Sequence, residues 1–256
     1  WQLSLNFMSF SLIGLSLAIF LGFRNSTAYA RYWEARTLWG SLLNDTRTLT
    51  RQALTICTEP AAARTLALRL AAFVHTLRHQ LRGSDASADL SLFLSPAECQ
   101  RVQTARFPAS VALLLADEWL GDRLRAGQVA APLVPAFAHT LAKLSSALGG
   151  CERIANNPVP YTYAVIIHRC VYLYCFLLPF GLVDSLGAMT PVIVCFVAYT
   201  FFSLETLSAE IEDPFGTEPN DLALNAMSHA IEASVLELVG EAPRTAKPEV
   251  KDYVLR

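Results

Sequence analysis

The sequence predicts an all-α membrane protein, transmembrane helices joined to a large cytosolic helical bundle, and three observations carry that reading. Leu3 to Phe23 is a run of twenty-one residues without a charge, long enough at about 1.5 Å per residue to cross a hydrocarbon core of roughly 30 Å. Ala164 to Val183 and Thr190 to Leu207 form a second apolar pair. Between them, residues 61 to 150 set apolar side chains at helical spacing among many arginines, a pattern too charged to span and suited to water.

The totals agree. Of 256 residues, 53% are hydrophobic and 16% charged, and a mean hydropathy of +0.36 is high for a soluble chain. A formal charge of -2, with lysines and arginines scattered instead of clustered, argues against nucleic acid as a partner. Cys57, Cys99, Cys151, Cys170, Cys175 and Cys195 show no CxxC or paired spacing and read as reduced, structural thiols. The chain opens at Trp1 in an apolar context with no basic n-region or cleavage site, so a further span upstream is expected.

Taken in order, the first span meets Arg24, Arg31 and Arg36 among Tyr29, Tyr32, Trp33 and Trp39, a basic and aromatic anchor with a cytoplasmic sign. With no proline and only Gly14, Gly22 and Gly40 in the way, one helix is expected to leave the bilayer and continue through Gly40 to Cys57, ended by Pro60. Ala61 to Arg82 follows as an amphipathic helix closed by Gly83. Ser95-Pro96-Ala97-Glu98 is a capping box with proline at the first helical position, and Phe107-Pro108 interrupts the helix it starts. Ser110 to Ala126 and Val134 to Leu148 are two more helices, the second closed by Gly149-Gly150.

The two later spans form a hairpin whose loop, Asp184 to Met189, lacks lysine and arginine and is placed outside. Beyond them Glu205, Glu210, Glu212, Asp213, Glu218 and Asp221 make an acidic stretch without a basic residue. Asp221 is expected to cap a helix with apolar residues at 224, 227, 231, 235 and 238, and the last sixteen residues read as a tail.

No GxGxxG, GxxxxGK[ST], HExxH or GxSxG occurs, which disfavours an enzyme. His75 and His79 stand at i and i+4, a spacing that can bind metal, but without neighbouring ligands in sequence they read as packing or surface histidines. His168-Arg169 at a membrane edge reads first as an interface pair. Leu15, Ile19 and Phe23 recur every four residues, with Leu12, Ser16 and Phe20 on a neighbouring face. Such spacing marks a packing face, and around a symmetry axis it would also make stacked apolar rings that stop ions by dewetting.

Four segments, IFLGFRNSTAYARYWEARTLWG at 19 to 40, CERIANNPVP at 151 to 160, HRCVYLYCFLLPFGLVD at 168 to 184 and IEDPFGTEPNDLALNAM at 211 to 227, resemble the bacterial bestrophin-like channels. The resemblance implies a homopentamer around one central pore, with four membrane helices per subunit, the first of them upstream of Trp1. It puts the pore neck on Leu15, Ile19 and Phe23 and a cytosolic aperture near Pro158, Val159 and Pro160. The implied layout is a pore-lining helix and interface at 1–40, a cytosolic bundle at 41–163, a transmembrane hairpin at 164–208 and a cytosolic helix and tail at 209–256.

Calcium-activated animal members follow the PFG turn with an unbroken acidic run, whereas this chain reads DPFGTEPND from Asp213 to Asp221. Glu218 and Asp221, spaced by proline and asparagine, are a poor start on the roughly 6–8 oxygen ligands that calcium takes. No calcium clasp, other metal or cofactor is expected, and the acidic stretch is expected to pair with Arg24, Arg31 or Arg36. The function that follows is a passive ion channel in a bacterial inner membrane, its partners being copies of itself, the lipid and small monovalent ions. Chloride is the family default and a monovalent-cation channel of the same fold the alternative. A secondary transporter lacks support, since neither repeated halves nor broken helices are visible, while a non-conducting scaffold fits the spans equally.

Overall fold

The computed structural model describes residues 7 to 248, 250, 251, 254 and 255, so Leu3 to Asn6 of the first expected span lie outside the described residues. Among the described residues are nine α-helices, two short 3-10 helices and one pair of two-residue antiparallel strands, in two units. One comprises residues up to Glu34 together with Asn157–Pro214; the other comprises Ala35–Asn156 and the residues from Phe215 onward.

Helix α1 (Phe7–Ile56) is a single helix of 50 residues, as the absence of proline predicts. In the first unit it packs against α7 (Tyr161–Leu186) and meets α8 (Thr190–Glu212) directly through Arg24 and Arg31. Leu17 and Leu21 are buried with Ile167, Val171 and Cys175, and Phe10 with Leu178 and Leu182. Gly181 makes this approach possible, because a Cβ there would run into the Phe10 ring. α7 and α8 are joined by a short 3-10 turn that Gly187 opens at φ 51°, a backbone angle that favours glycine. Two stretches, Phe10–Ile56 and Tyr161–Glu212, are long and apolar enough to cross a membrane, and their most apolar windows are mostly exposed, unlike core helices.

The second unit is built around α2 (Pro60–Arg82). Pro60 stands at its N-terminus and Gly83, at φ 61°, takes the left-handed turn that closes it. Leu66, Leu70, Phe73, Val74 and Leu77 are buried, and α2 packs chiefly on α5 (Pro108–Arg125) and α9 (Leu224–Leu238). Trp119 of α5 donates its indole N–H to the Ala62 carbonyl at 2.8 Å. Arg69 of α2 donates to the Leu115 carbonyl at 2.7 Å and to Glu98 at 2.7 Å, fastening α5 and α4 (Pro96–Gln103) to the same helix. The capping box at α4 forms as the sequence requires, Ser95 and Glu98 satisfying each other's backbone N–H.

Five expectations change. Pro60 does not end α1, which stops at Ile56; it begins α2, where its missing N–H costs nothing. A short helix, α3 (Ser87–Phe93), burying Leu90 and Phe93, lies where none was expected. Gly149-Gly150 does not close α6, which runs Val134–Asn156: Gly150 sits where a Cβ would lie 2.8 Å from a Leu38 methyl, so the glycine serves helix packing and not termination. Asp221 does not cap α9. The helix starts at Leu224 without a side-chain cap, and Asp221 Oδ2 accepts the Glu218 N–H at 2.7 Å in the preceding turn. Within the last sixteen residues, expected as a tail, Arg244 and Thr245 donate backbone N–H groups to Glu232, and Val250–Lys251 pairs antiparallel with Val254–Leu255.

Candidate functional site

The candidate site is the apolar N-terminal half of α1 and what holds it. The buried face of that half carries Phe10, Leu17, Leu21, Arg24 and Ala28, a three-and-four spacing that follows from 3.6 residues per turn. Away from it lie Leu15, Ile19 and Phe23, exposed at 61%, 51% and 63%. The three residues named for the neck therefore share one uncovered apolar face of a single helix. On the neighbouring face Ser16 and Phe20, with Ile13 and Leu17, line a wholly apolar groove closed by Ile166 and Ile167 of α7.

The residues named for the aperture form the non-helical link between α6 and α7. Pro158 and Pro160 are exposed and Val159 half-buried, and Pro160 precedes the first turn of α7, where its carbonyl accepts the Tyr163 N–H at 3.0 Å. Two prolines within three residues remove backbone donors and fix φ, so the link is stiff at no cost in hydrogen bonds.

Polar chemistry gathers where the apolar run of α1 ends. Arg24 is buried, with Nη1 donating to Glu205 Oε1 at 3.2 Å and Nη2 standing 3.8 Å from Glu212 Oε2. His168 Nδ1 reaches the same Glu205 oxygen at 3.1 Å. Arg31 donates Nε to the Glu212 carbonyl at 2.8 Å and Nη1 to the Asn157 carbonyl at 2.7 Å. The expected pairing of the acidic stretch with arginine thus holds for Arg24 by its carboxylates and for Arg31 by a backbone oxygen, while Arg36 is exposed. A buried guanidinium is stable only with such partners.

His75 and His79 each find a carboxylate, one distant in sequence and one close by. His75 Nε2 lies 3.0 Å from Glu232 Oε2, both residues fully buried, and His79 Nε2 lies 3.0 Å from Asp89 Oδ2. The hydrogen bond from His79, against the opposing effect of burial and with help from Arg78, holds Asp89 at about 2. Burial would raise Glu232, yet bonds from His75, Thr245 and the Arg244 backbone overcome it and leave that acid at about 2 as well. Among the described residues no group of three or more His, Cys, Asp and Glu is placed to hold a metal ion. Glu232 was not visible from sequence as a partner, since it lies 157 positions from His75, whereas Asp89 stands only ten positions from His79. The bridge made by Arg31 was equally hidden, because its acceptors are main-chain oxygens that any residue supplies.

The family model described as Bacterial/Fungal Bestrophin protein matches residues 1–237. A Ralstonia nicotianae protein named as voltage-dependent anion channel-forming is 50% identical over 96% of this chain and 81% of its own length. A protein of the same description from Escherichia coli K12 is 45% identical, covering 93% of this chain and 78% of the relative. The crystal structure of a bacterial bestrophin homolog from Klebsiella pneumoniae, carrying an L177T mutation, superimposes with a TM-score of 0.91 at 44% identity, over 93% of this chain and 90% of that one. Matched in sequence along most of its length and in fold at that score, the chain belongs to the bacterial and fungal bestrophin family.

Proposed function

We propose that the protein is a passive ion channel, a homopentamer around one pore in the bacterial inner membrane, with α1 lining the path and the second unit in the cytosol. The observation that carries the reading is the uncovered face of α1: Leu15, Ile19 and Phe23 stand exposed while Leu17 and Leu21 are packed against α7. Five such faces about an axis form three stacked apolar rings, at which an ion sheds hydration with no polar ligand in return. Pro158, Val159 and Pro160 form the second constriction, at the cytosolic mouth, made rigid by their own ring chemistry. The permeant ion is an anion, chloride first, because relatives at 50% and 45% identity are named as anion channel-forming proteins.

The alternative is conduction of monovalent cations. It is favoured by the acidic stretch from Glu205 to Asp221 if that stretch faces the path. Single-channel recording in bilayers tests conduction, and the reversal potential in asymmetric salt separates the two ions. A silent but folded protein would leave a membrane scaffold, and a purified mass near one subunit plus detergent would refute the pentamer.

A further inference from the structure

In the second unit, residues of α2 and α9 enclose an open cavity of about 570 Å³ with the turn at Thr217 and the segment 245–248. Its wall is basic. Arg78, Arg82, Lys247, His79 and His229 line it, and Asp89 is the one acidic side chain among the described lining residues. Asp89 is already committed, since it accepts from Arg78 and from His79 Nε2. It balances Arg78, and Arg82 and Lys247 have no further carboxylate in the lining itself.

Arg82 is the first of these. Its Nη1 donates to Asn225 Oδ1 at 2.9 Å, its Nε to the Phe215 carbonyl at 3.3 Å and its Nη2 to the Leu222 carbonyl at 3.4 Å, so these hydrogen bonds end on uncharged oxygens, with the Asp221 carboxylate acting on it only through its charge. Burial, and then the like charge of Arg78, pull its pKa below the ordinary arginine value, with Asp221 opposing them in part. A cation so placed is stabilised by any anion that enters the cavity. Lys247, exposed, brings the second charge from the C-terminal segment. Ser84, Thr217 and Asn225 add hydroxyl and amide groups of the kind that bind oxyanions.

We infer that this cavity binds a phosphate-bearing anion, held by Arg82 and Lys247 and flanked by His79 and His229. Its volume falls in the range of roughly 300–1,000 Å³ typical of small-molecule sites, so a phosphate monoester fits more fully than phosphate alone. Bound there, the anion joins α2, α9 and the C-terminal segment. The site does not depend on conduction, and its test measures binding without current.

Isothermal titration of the full chain in detergent, at constant chloride, with inorganic phosphate, with AMP and with phosphatidic-acid vesicles separates the possible sources of the phosphate group. Saturable binding of at least one probe is expected, weakened about tenfold or more by Lys247→Gln, the loss of one charge-assisted contact. Arg82→Gln should weaken it similarly and Arg82→Lys less. Should Arg82→Gln fail to fold, the exposed Lys247 still decides. No saturable binding of any probe overturns the inference, and so does an affinity that Lys247→Gln leaves unchanged.

Discussion

His75 Nε2 and Glu232 Oε2 meet at 3.0 Å with both side chains fully buried, joining α2 to α9 across 157 positions of sequence. The same carboxylate accepts backbone N–H groups from Arg244 and Thr245 and the Thr245 hydroxyl. One buried acid therefore fastens two helices and the C-terminal segment, and it is tolerated only because so many donors converge on it.

Removing the imidazole should be expensive. His75→Ala leaves Glu232 buried without its strongest side-chain donor, a loss of about 3–5 kcal/mol by comparison with other broken buried pairs. Thermal melts of the purified protein should show it, and His75→Gln, which keeps a donor, should lose less. Equal melting of His75→Ala and the parent would disprove the role.

Acid should act through the same residues. Glu232 lies at about 2 in the fold against an ordinary 4.5, and Asp89 at about 2 against 3.8. A depressed carboxylate stabilises the fold in full above its unfolded value and ceases to do so as pH falls through the folded one. The melting temperature should thus hold above pH 4.5 and drop between there and pH 2. Glu232→Gln should melt lower at neutral pH but respond less steeply to acid.

The adjacent glycines of α6 should answer differently to alanine. A Cβ at Gly149 meets nothing within 4 Å, so Gly149→Ala should stabilise the helix, by up to about 1 kcal/mol. At Gly150 the Cβ would lie 2.8 Å from Leu38, and the strain there should cancel the gain or reverse it. Paired melts read the contrast directly.

The two faces of α1 should separate in function. Replacing Leu15, Ile19 and Phe23 with alanine should widen and wet the path, raising conductance or open probability with little change in ion preference. Changing Leu12, Ser16 and Phe20 should instead damage assembly, because Ser16 and Phe20 line the groove against α7. Bilayer recording beside size-exclusion profiles tells them apart; a conducting, parent-like neck mutant would sink the assignment.

Arg31 should matter as a pin. Its guanidinium spans the Glu212 and Asn157 carbonyls at 2.8 and 2.7 Å, directly before the Pro158 to Pro160 link. Arg31→Ala should alter conductance at unchanged protein mass, and Arg31→Lys, which can serve one carbonyl at a time, should fall between.

The sequence disclosed what depends on local pattern. Uncharged length marked the helices long and apolar enough to cross a membrane, the Ser95 to Glu98 spacing marked a capping box, and the lack of proline made α1 continuous. Long-range pairing was the hidden part. Gly149-Gly150 reads as a helix end until Leu38 is seen against it, and Asp221 reads as a cap until its oxygen is found on the Glu218 N–H. Arg24 could be matched to an acidic stretch, because both bear charge in quantity. The partner of His75 could not, because a single glutamate among 22 acidic residues carries no mark of its place.

In the proposed membrane placement, one property of α1 reaches into the lipid. Fifty helical residues rise about 75 Å with no backbone feature to mark where hydrocarbon should stop. There the depth of α1 would be set by side chains alone, and Arg24 and Arg31 bond α1 to α8, which opposes sliding of one past the other. A bilayer of mismatched thickness then cannot be met by shifting one helix along its axis. It must be met by tilting the helices together or by deforming the lipid around them, and acyl-chain length becomes a force applied to Leu15, Ile19, Phe23 and the Asn157 carbonyl at once.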